Sequence, residues 1–169
     1  MTLTGKAVKS FSKQVVVPAN TSTMMYDEAI EAVLAGEKAE NLVIVSSLKV
    51  GDKLYSSNNY FVKQGALNFP ACKISTKVEK CDEGIAVTVS TDNFARAVYL
   101  SIEDNDNFFE ENYFDLLPGT SCTVKVKTKL SVEEFKKQLK VMHLGGCKES
   151  KGESKKHNIE GNEEVFFVS

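Results

Sequence analysis

The residues able to do chemistry are few, and their spacing fits no familiar reaction. Four cysteines (Cys72, Cys81, Cys122, Cys147) and two histidines (His143, His157) are the soft ligands and nucleophiles of the 169-residue chain. No Cys-x-x-Cys pair occurs, and both histidines lie near Cys147 without the spacing of zinc ligands. Cys72 and Cys81 flank a short strand pattern and could be bridged only if the chain folded back between them. Isolated thiols, buried or partly exposed, are the expectation. His143 and Cys147 would form a base and nucleophile, but they fall beside a polar tail that offers nothing to hold them. The acidic loop Glu103-Asp104-Asn105-Asp106 has oxygen ligands for a weak calcium site, yet lacks the spacing and glycine of an EF-hand. It reads as a solvated loop. Gly-x-Ser-x-Gly, P-loop and dinucleotide fingerprints are absent. Asn20-Thr21-Ser22 is a glycosylation sequon on a turn, meaningful only in a secreted eukaryotic chain. The residues therefore imply no catalytic, cofactor-binding or metal-binding site, and no cofactor.

The elements that would position these residues read as short strands. Val8 to Val17 alternates in Phe11, Val15 and Val17 before Pro18 breaks the pattern, and Thr23 to Tyr26 can form a second strand. Asp27 to Ala35 changes period: Ile30, Val33 and Leu34 sit at helical spacing, Asp27 is a candidate N-cap and Gly36 a stop. Leu42 to Leu48 is the most apolar strand, Val50-Gly51-Asp52 turns, and Lys53 to Val62 returns as a hairpin. Gln64 to Pro70 punctuates the chain. Lys73 to Lys80 and Ile85 to Thr91, joined at Asp82-Glu83-Gly84, form the cleanest hairpin pattern. Arg96 to Ile102 follows, with Ala97, Tyr99 and Ser101 opposing Val98, Leu100 and Ile102. After the loop over 103–107, Phe108 to Leu117 leads through Pro118-Gly119 into a strand over Ser121 to Thr128. Ser131-Val132-Glu133-Glu134 is a capping box for a short helix over about 132–140.

Turn signals every ~8–12 residues argue for an all-β sandwich architecture. The expected division is a partial β-sandwich module over 1–64, truncated at its start, a linker over 65–70 and an immunoglobulin-fold module over 71–130. A short helix and strand over 131–144 and a disordered tail over 145–169 complete it. The tail is rich in Gly, Ser, Lys and Glu. Val165-Phe166-Phe167-Val168 closes it as a lone apolar tetrad, an added strand or a frame-shifted end.

A net charge of −2 with Lys and Glu interspersed disfavours a nucleic-acid partner. No apolar run approaches the ~18 residues that cross a bilayer, so no membrane partner is expected. The first residues lack the apolar stretch of a secretory signal.

The most specific stretch runs from Phe94 to Val126. Ala95-Arg96-Ala97-Val98-Tyr99-Leu100 is followed by Phe109, then Asn112-Tyr113-Phe114-Asp115-Leu116-Leu117-Pro118-Gly119, then Val124-Lys125-Val126. This order resembles the C-terminal immunoglobulin-like domain of the β-mannosidases of glycoside hydrolase family 2. Glu110-Glu111 stands where that family has Ser-Asp. Upstream, Val15 to Ser22, Ile30 to Leu34, Val43 to Lys53, Ser57-Asn58 and Tyr60-Phe61-Val62 resemble the family's penultimate sandwich module. The likeness covers roughly residues 1–130.

The resemblance implies a family that hydrolyses terminal, non-reducing β-mannosyl residues with retention, and is secreted, periplasmic or lysosomal. Such catalysis needs two carboxyls about 5–5.5 Å apart, which the family carries on a barrel of about 250 residues. Asn162-Glu163 is the one Asn-Glu pair here, and it lies in the polar tail. The chain is thus expected to be inactive by itself, with the catalytic barrel of a parent glycosidase as partner and homo-oligomerisation as a further possibility. Physical reading gives the shared motif structural roles: Asn112 holds a turn, while Tyr113, Phe114, Leu116 and Leu117 plug the end of a sandwich. The rival reading is a stand-alone β-sandwich binding module for carbohydrate or a partner protein. Against it, Trp is absent and aromatic residues are only 9%, most of them at positions the motif would bury.

Overall fold

The computed structural model of the chain describes residues 1–103 and 106–145. Strands form where an alternating pattern meets a partner. β1 (Ile44–Val50) and β2 (Lys53–Asn59) pair antiparallel, from Ile44 opposite Asn59 to Val50 opposite Lys53. The two-residue turn between them starts at Gly51, whose φ of 58° suits a primed hairpin turn.

The strands expected over Val8 to Val17 and Thr23 to Tyr26 do not form. Phe11, Val16, Val17, Met24 and Tyr26 stay exposed, and no strand pairs with their backbone. Alternation decides which face a strand would present, but it does not supply a neighbour. The helix shrinks likewise: α1 is Ile30–Leu34, with Ala29 rather than Asp27 at its N-cap and no buried residue. Asn20 adopts a left-handed φ of 59° and Thr21 Oγ1 donates to the Pro18 carbonyl, so the sequon does sit on an exposed turn.

The second module is a two-sheet sandwich. β3 (Ile74–Cys81), β4 (Gly84–Thr91), β8 (Ser121–Lys127) and β6 (Phe108–Phe109) form one antiparallel sheet in the order β3-β4-β8-β6. β7 (Phe114–Leu116), β5 (Ala95–Ser101) and β9 (Lys140–Leu144) form the other, with β5 central. Ile85, Val87 and Val89 of β4, Val124 and Val126 of β8, Val98 and Leu100 of β5, and Phe114 and Leu116 of β7 fill the space between the sheets. α2 (Val132–Gln138) begins in the expected capping box, with Ser131 and Glu134 bonding reciprocally. Its Phe135 is buried in the same core. Helix α2 stops at Gln138 because Lys140 onward is claimed as the edge strand β9.

Gly84 closes the β3–β4 hairpin at φ 139°, and a Cβ there would lie 2.4 Å from the Val126 carbonyl oxygen. Hairpin and third strand therefore pack too closely for any side chain at this corner.

A second, smaller core joins the modules. Leu3 and Val43 from the first meet Phe94 from the second, with Tyr60, Phe69 and Leu117 around them. Phe69 stacks on Phe94 with centroids 6.4 Å apart, and Tyr60 meets it edge-on at 6.1 Å. Backbone bonds run through the same place: Leu3 N–H to Asn41, Val43 N–H to Met1 and Phe94 N–H to Leu3. Residues 65–70 are part of this joint, since Leu67 is buried and Phe69 stacks.

Candidate functional site

The residues singled out for chemistry are dispersed. Cys72, Cys81 and Cys122 are free thiols, and the extended β3 keeps the first two apart. Cys147, His157, Asp104, Asn105, Asn162-Glu163, the tetrad Val165 to Val168 and nearly all of the tail over 145–169 lie outside the described residues. Glu103 pairs with Lys140 at 2.7 Å and Asp106 with Lys129 at 3.1 Å, so both flanks of the acidic loop are matched by lysines. Among the described residues no three His, Cys, Asp or Glu side chains gather as a metal site. A shallow depression of about 540 Å³ is lined by Glu83, Asp106, Phe108, Lys127 and Lys129. It opens widely to solvent, unlike the enclosed clefts that hold small molecules.

One thiol does find a histidine. Cys72 Sγ lies 3.5 Å from Nε2 of His143, whose Nδ1 is 3.2 Å from the Leu144 carbonyl. With Nδ1–H donating to that carbonyl, Nε2 accepts from the thiol. Burial pushes the Cys72 thiol pKa up against a hydrogen bond with Thr91, and Asp92 adds to the rise. A thiol held protonated is a poor nucleophile. This pair, 71 residues apart in sequence, fills a corner of the sandwich.

The richest constellation is the outer face of the β7-β5-β9 sheet. A bulge in β5 sets it up: Ala97 adopts a left-handed φ of 49°, and pairing shifts register on both sides of it. The Ala97 N–H, lost to the ladder, donates to Asp115 Oδ1 at 2.9 Å. Tyr60, reaching over from the first module, donates its hydroxyl to Asp115 Oδ2 at 2.8 Å. The Arg96 guanidinium lies over the Tyr60 ring, 4.2 Å from its centroid, with Nη1 buried and unpaired. Burial and then the carboxylate of Asp115 push the Tyr60 phenol far above its usual pKa. It stays a neutral donor at every physiological pH. Both oxygens of Asp115 are thereby occupied, so this triad fastens two modules and leaves no free base.

Farther along the same face, Tyr99 stands opposite Met142 and Ser101 opposite Lys140. Tyr113 stacks on Tyr99 with centroids 4.8 Å apart. Tyr113 is 68% exposed, which corrects its reading as a plug; Phe114 and Leu116 are the plug. Period 2 already separates them, since Tyr113 and Asp115 must face away from Phe114 and Leu116. Asn112 does hold the turn: its side chain accepts from Leu100 N–H at 2.7 Å and donates to Leu100 O at 2.9 Å. The Tyr60–Asp115 bond, spanning 55 residues, left no local signal in the sequence.

Two family models match in succession. A Mannosidase Ig/CBM-like domain matches residues 1–64, and an Ig-fold domain of the mannosidases matches residues 69–147. The fold is similar to that of solved structures, among them a β-D-mannosidase from Dictyoglomus thermophilum, with a TM-score of 0.68 at 18% identity. That alignment covers 85% of this chain and 17% of that one, so the chain spans about a sixth of the neighbour's length. No curated protein matches.

Proposed function

From a chain that belongs with the immunoglobulin-like modules of the family 2 β-mannosidases, we propose a non-catalytic accessory region that works against the catalytic barrel of a larger glycosidase. The observation that carries this is the succession of both modules, in order, joined by a built interface rather than a tether. The reaction served would be hydrolysis of terminal, non-reducing β-mannosyl residues with retention.

The first module supports a partner as well. A two-stranded hairpin is marginal alone in water, yet β1–β2 leaves Val45, Leu48, Val50, Leu54 and Tyr55 exposed. Leu48, Tyr55 and Val50 share one face with Ile44 by the observed register. Such a face is suited to cover by another body, and the barrel is the occupant this reading assigns.

The isolated chain is expected to release nothing from aryl β-mannosides. Turnover that stays with it through purification from a host lacking its own β-mannosidase would overturn the proposal. Added in trans, the barrel portion of a family enzyme should slow hydrogen exchange over Ile44–Asn59. Unchanged exchange there would remove the barrel as the partner.

A further inference from the structure

We propose that the outer face of the β7-β5-β9 sheet is a binding platform for a neutral oligosaccharide, with Tyr113 as its stacking ring. The starting observation is a cost without a structural return. Tyr113 holds a left-handed φ of 61°, a region that bulky side chains avoid and that glycine or asparagine occupies cheaply. Its ring is mostly in solvent, so burial does not offset that cost. The conformation is imposed from both sides: Asn112 is pinned to both backbone groups of Leu100, and Phe114 is buried in the core. Held between these anchors, Tyr113 is turned out over Tyr99 and remains mostly exposed. Strain of this kind concentrates at functional positions.

The surroundings select the ligand. The apolar C–H face of a pyranose lies well on the electron-rich face of an aromatic ring. Two residues along β5, about 7 Å away, come Ser101 and the Lys140–Glu103 ion pair, donors and acceptors for sugar hydroxyls. On the other side lie Arg96 and Asp115. The four charges on this face, Arg96, Lys140, Asp115 and Glu103, sum to zero, which suits an uncharged ligand and not a nucleic acid or an acidic peptide. Tyr113, Tyr99, Met142 and Leu144 form a short apolar stripe. Beside it, Ser101 with the Lys140–Glu103 pair at one end and Arg96 opposite Leu144 supply hydrogen-bonding groups, the ring-plus-polar-rim arrangement a sugar uses. The platform does not depend on the parent being a mannosidase; only the choice of sugar does.

The test is titration of the full chain with β-1,4-mannohexaose and, separately, cellohexaose, followed by NMR. Resonances of Tyr99, Ser101, Tyr113 and Met142 should shift together with at least one of the two sugars. Tyr113→Gly should weaken that binding at least about tenfold while leaving the melting temperature equal or higher, since it relieves the left-handed strain. Tyr113→Phe should retain binding. A shift with cellohexaose alone keeps the platform and counts against a mannan-directed parent. No shift with either sugar, or shifts confined to other surfaces, would overturn the proposal. So would self-association of the chain that Tyr113→Gly abolishes, because the face would then be a protein contact.

Discussion

Replacing Phe94 by alanine should unlatch the first module while leaving the second folded. Phe94 is 1% exposed and sits where Leu3 and Val43 meet the second module. Truncating a buried phenylalanine costs about 3–5 kcal/mol through lost transfer energy and the cavity left behind. The two modules have unequal reserves to absorb that loss. The sandwich core of the second contains twelve buried residues, and Phe94 is not among them. Buried apolar residues of the first number four with its connecting segment, Leu3, Leu42, Val43 and Leu67, and two of these pack on Phe94. The loss should therefore appear as local opening. At about 1.4 kcal/mol per decade, amide exchange over Ile44–Asn59 should accelerate on the order of a hundredfold to several thousandfold. Amides over Ile85–Thr91 and Ser121–Lys127 should change by less than about tenfold on the same scale. Hydrogen exchange read by mass spectrometry resolves the two regions. Leu3→Ala, which opens the same cavity from the other side, should give the same pattern. Equal acceleration in both sheets would show one cooperative unit, and unchanged exchange in the hairpin would show a first module that supports itself. Either result refutes the reasoning.

Three further outcomes follow from the geometry. Asn112→Ala removes both bonds to the Leu100 backbone; leaving those groups partly buried and unpaired costs about 1–3 kcal/mol, seen as a drop in melting temperature on the order of 10 °C. Gly84→Ala drives a methyl to 2.4 Å from the Val126 carbonyl oxygen, so the β4–β8 ladder must separate, and soluble yield or melting temperature should fall more than for Asn112→Ala. Tyr60 has its folded pKa raised above the unfolded value of about 10, so its contribution is complete below that pH and is lost as pH rises through the folded pKa. Alkaline melting curves should steepen accordingly, and Tyr60→Phe should flatten that limb while lowering stability at neutral pH by about 1–3 kcal/mol, because Asp115 Oδ2 loses its donor.

Much of the second module was legible because β4 alternates without interruption and each buried residue lies two positions from the next. The capping box of α2 was legible for a similar reason: both partners lie within four residues. Signals of that range are local, and local signals failed wherever the outcome depended on a distant neighbour. Val8 to Val17 has the composition of a strand but no edge beside it, so the backbone stays unpaired. Proximity in sequence sets Cys72 beside Cys81 and His143 beside Cys147; the fold instead brings Cys72 to His143 through β9.

The outer face of β5 shows most clearly what kind of information was missing. Which residues of Ala95 to Leu100 point outward follows from period 2 until Ala97, where the bulge inserts one residue and restores Arg96 to the face of Tyr99. Nothing within β5 announces that insertion. The carboxylate of Asp115 satisfies it from outside the strand, accepting the Ala97 N–H at Oδ1 and the Tyr60 hydroxyl at Oδ2. One aspartate in the shared motif thus caps the bulge of the central strand and ties the first module to it. It also aligns Arg96 with the aromatic pair on one surface. Read as a motif, Asn112 to Gly119 is a turn; read with its partners, it is the device that builds the face on which Tyr113 is displayed.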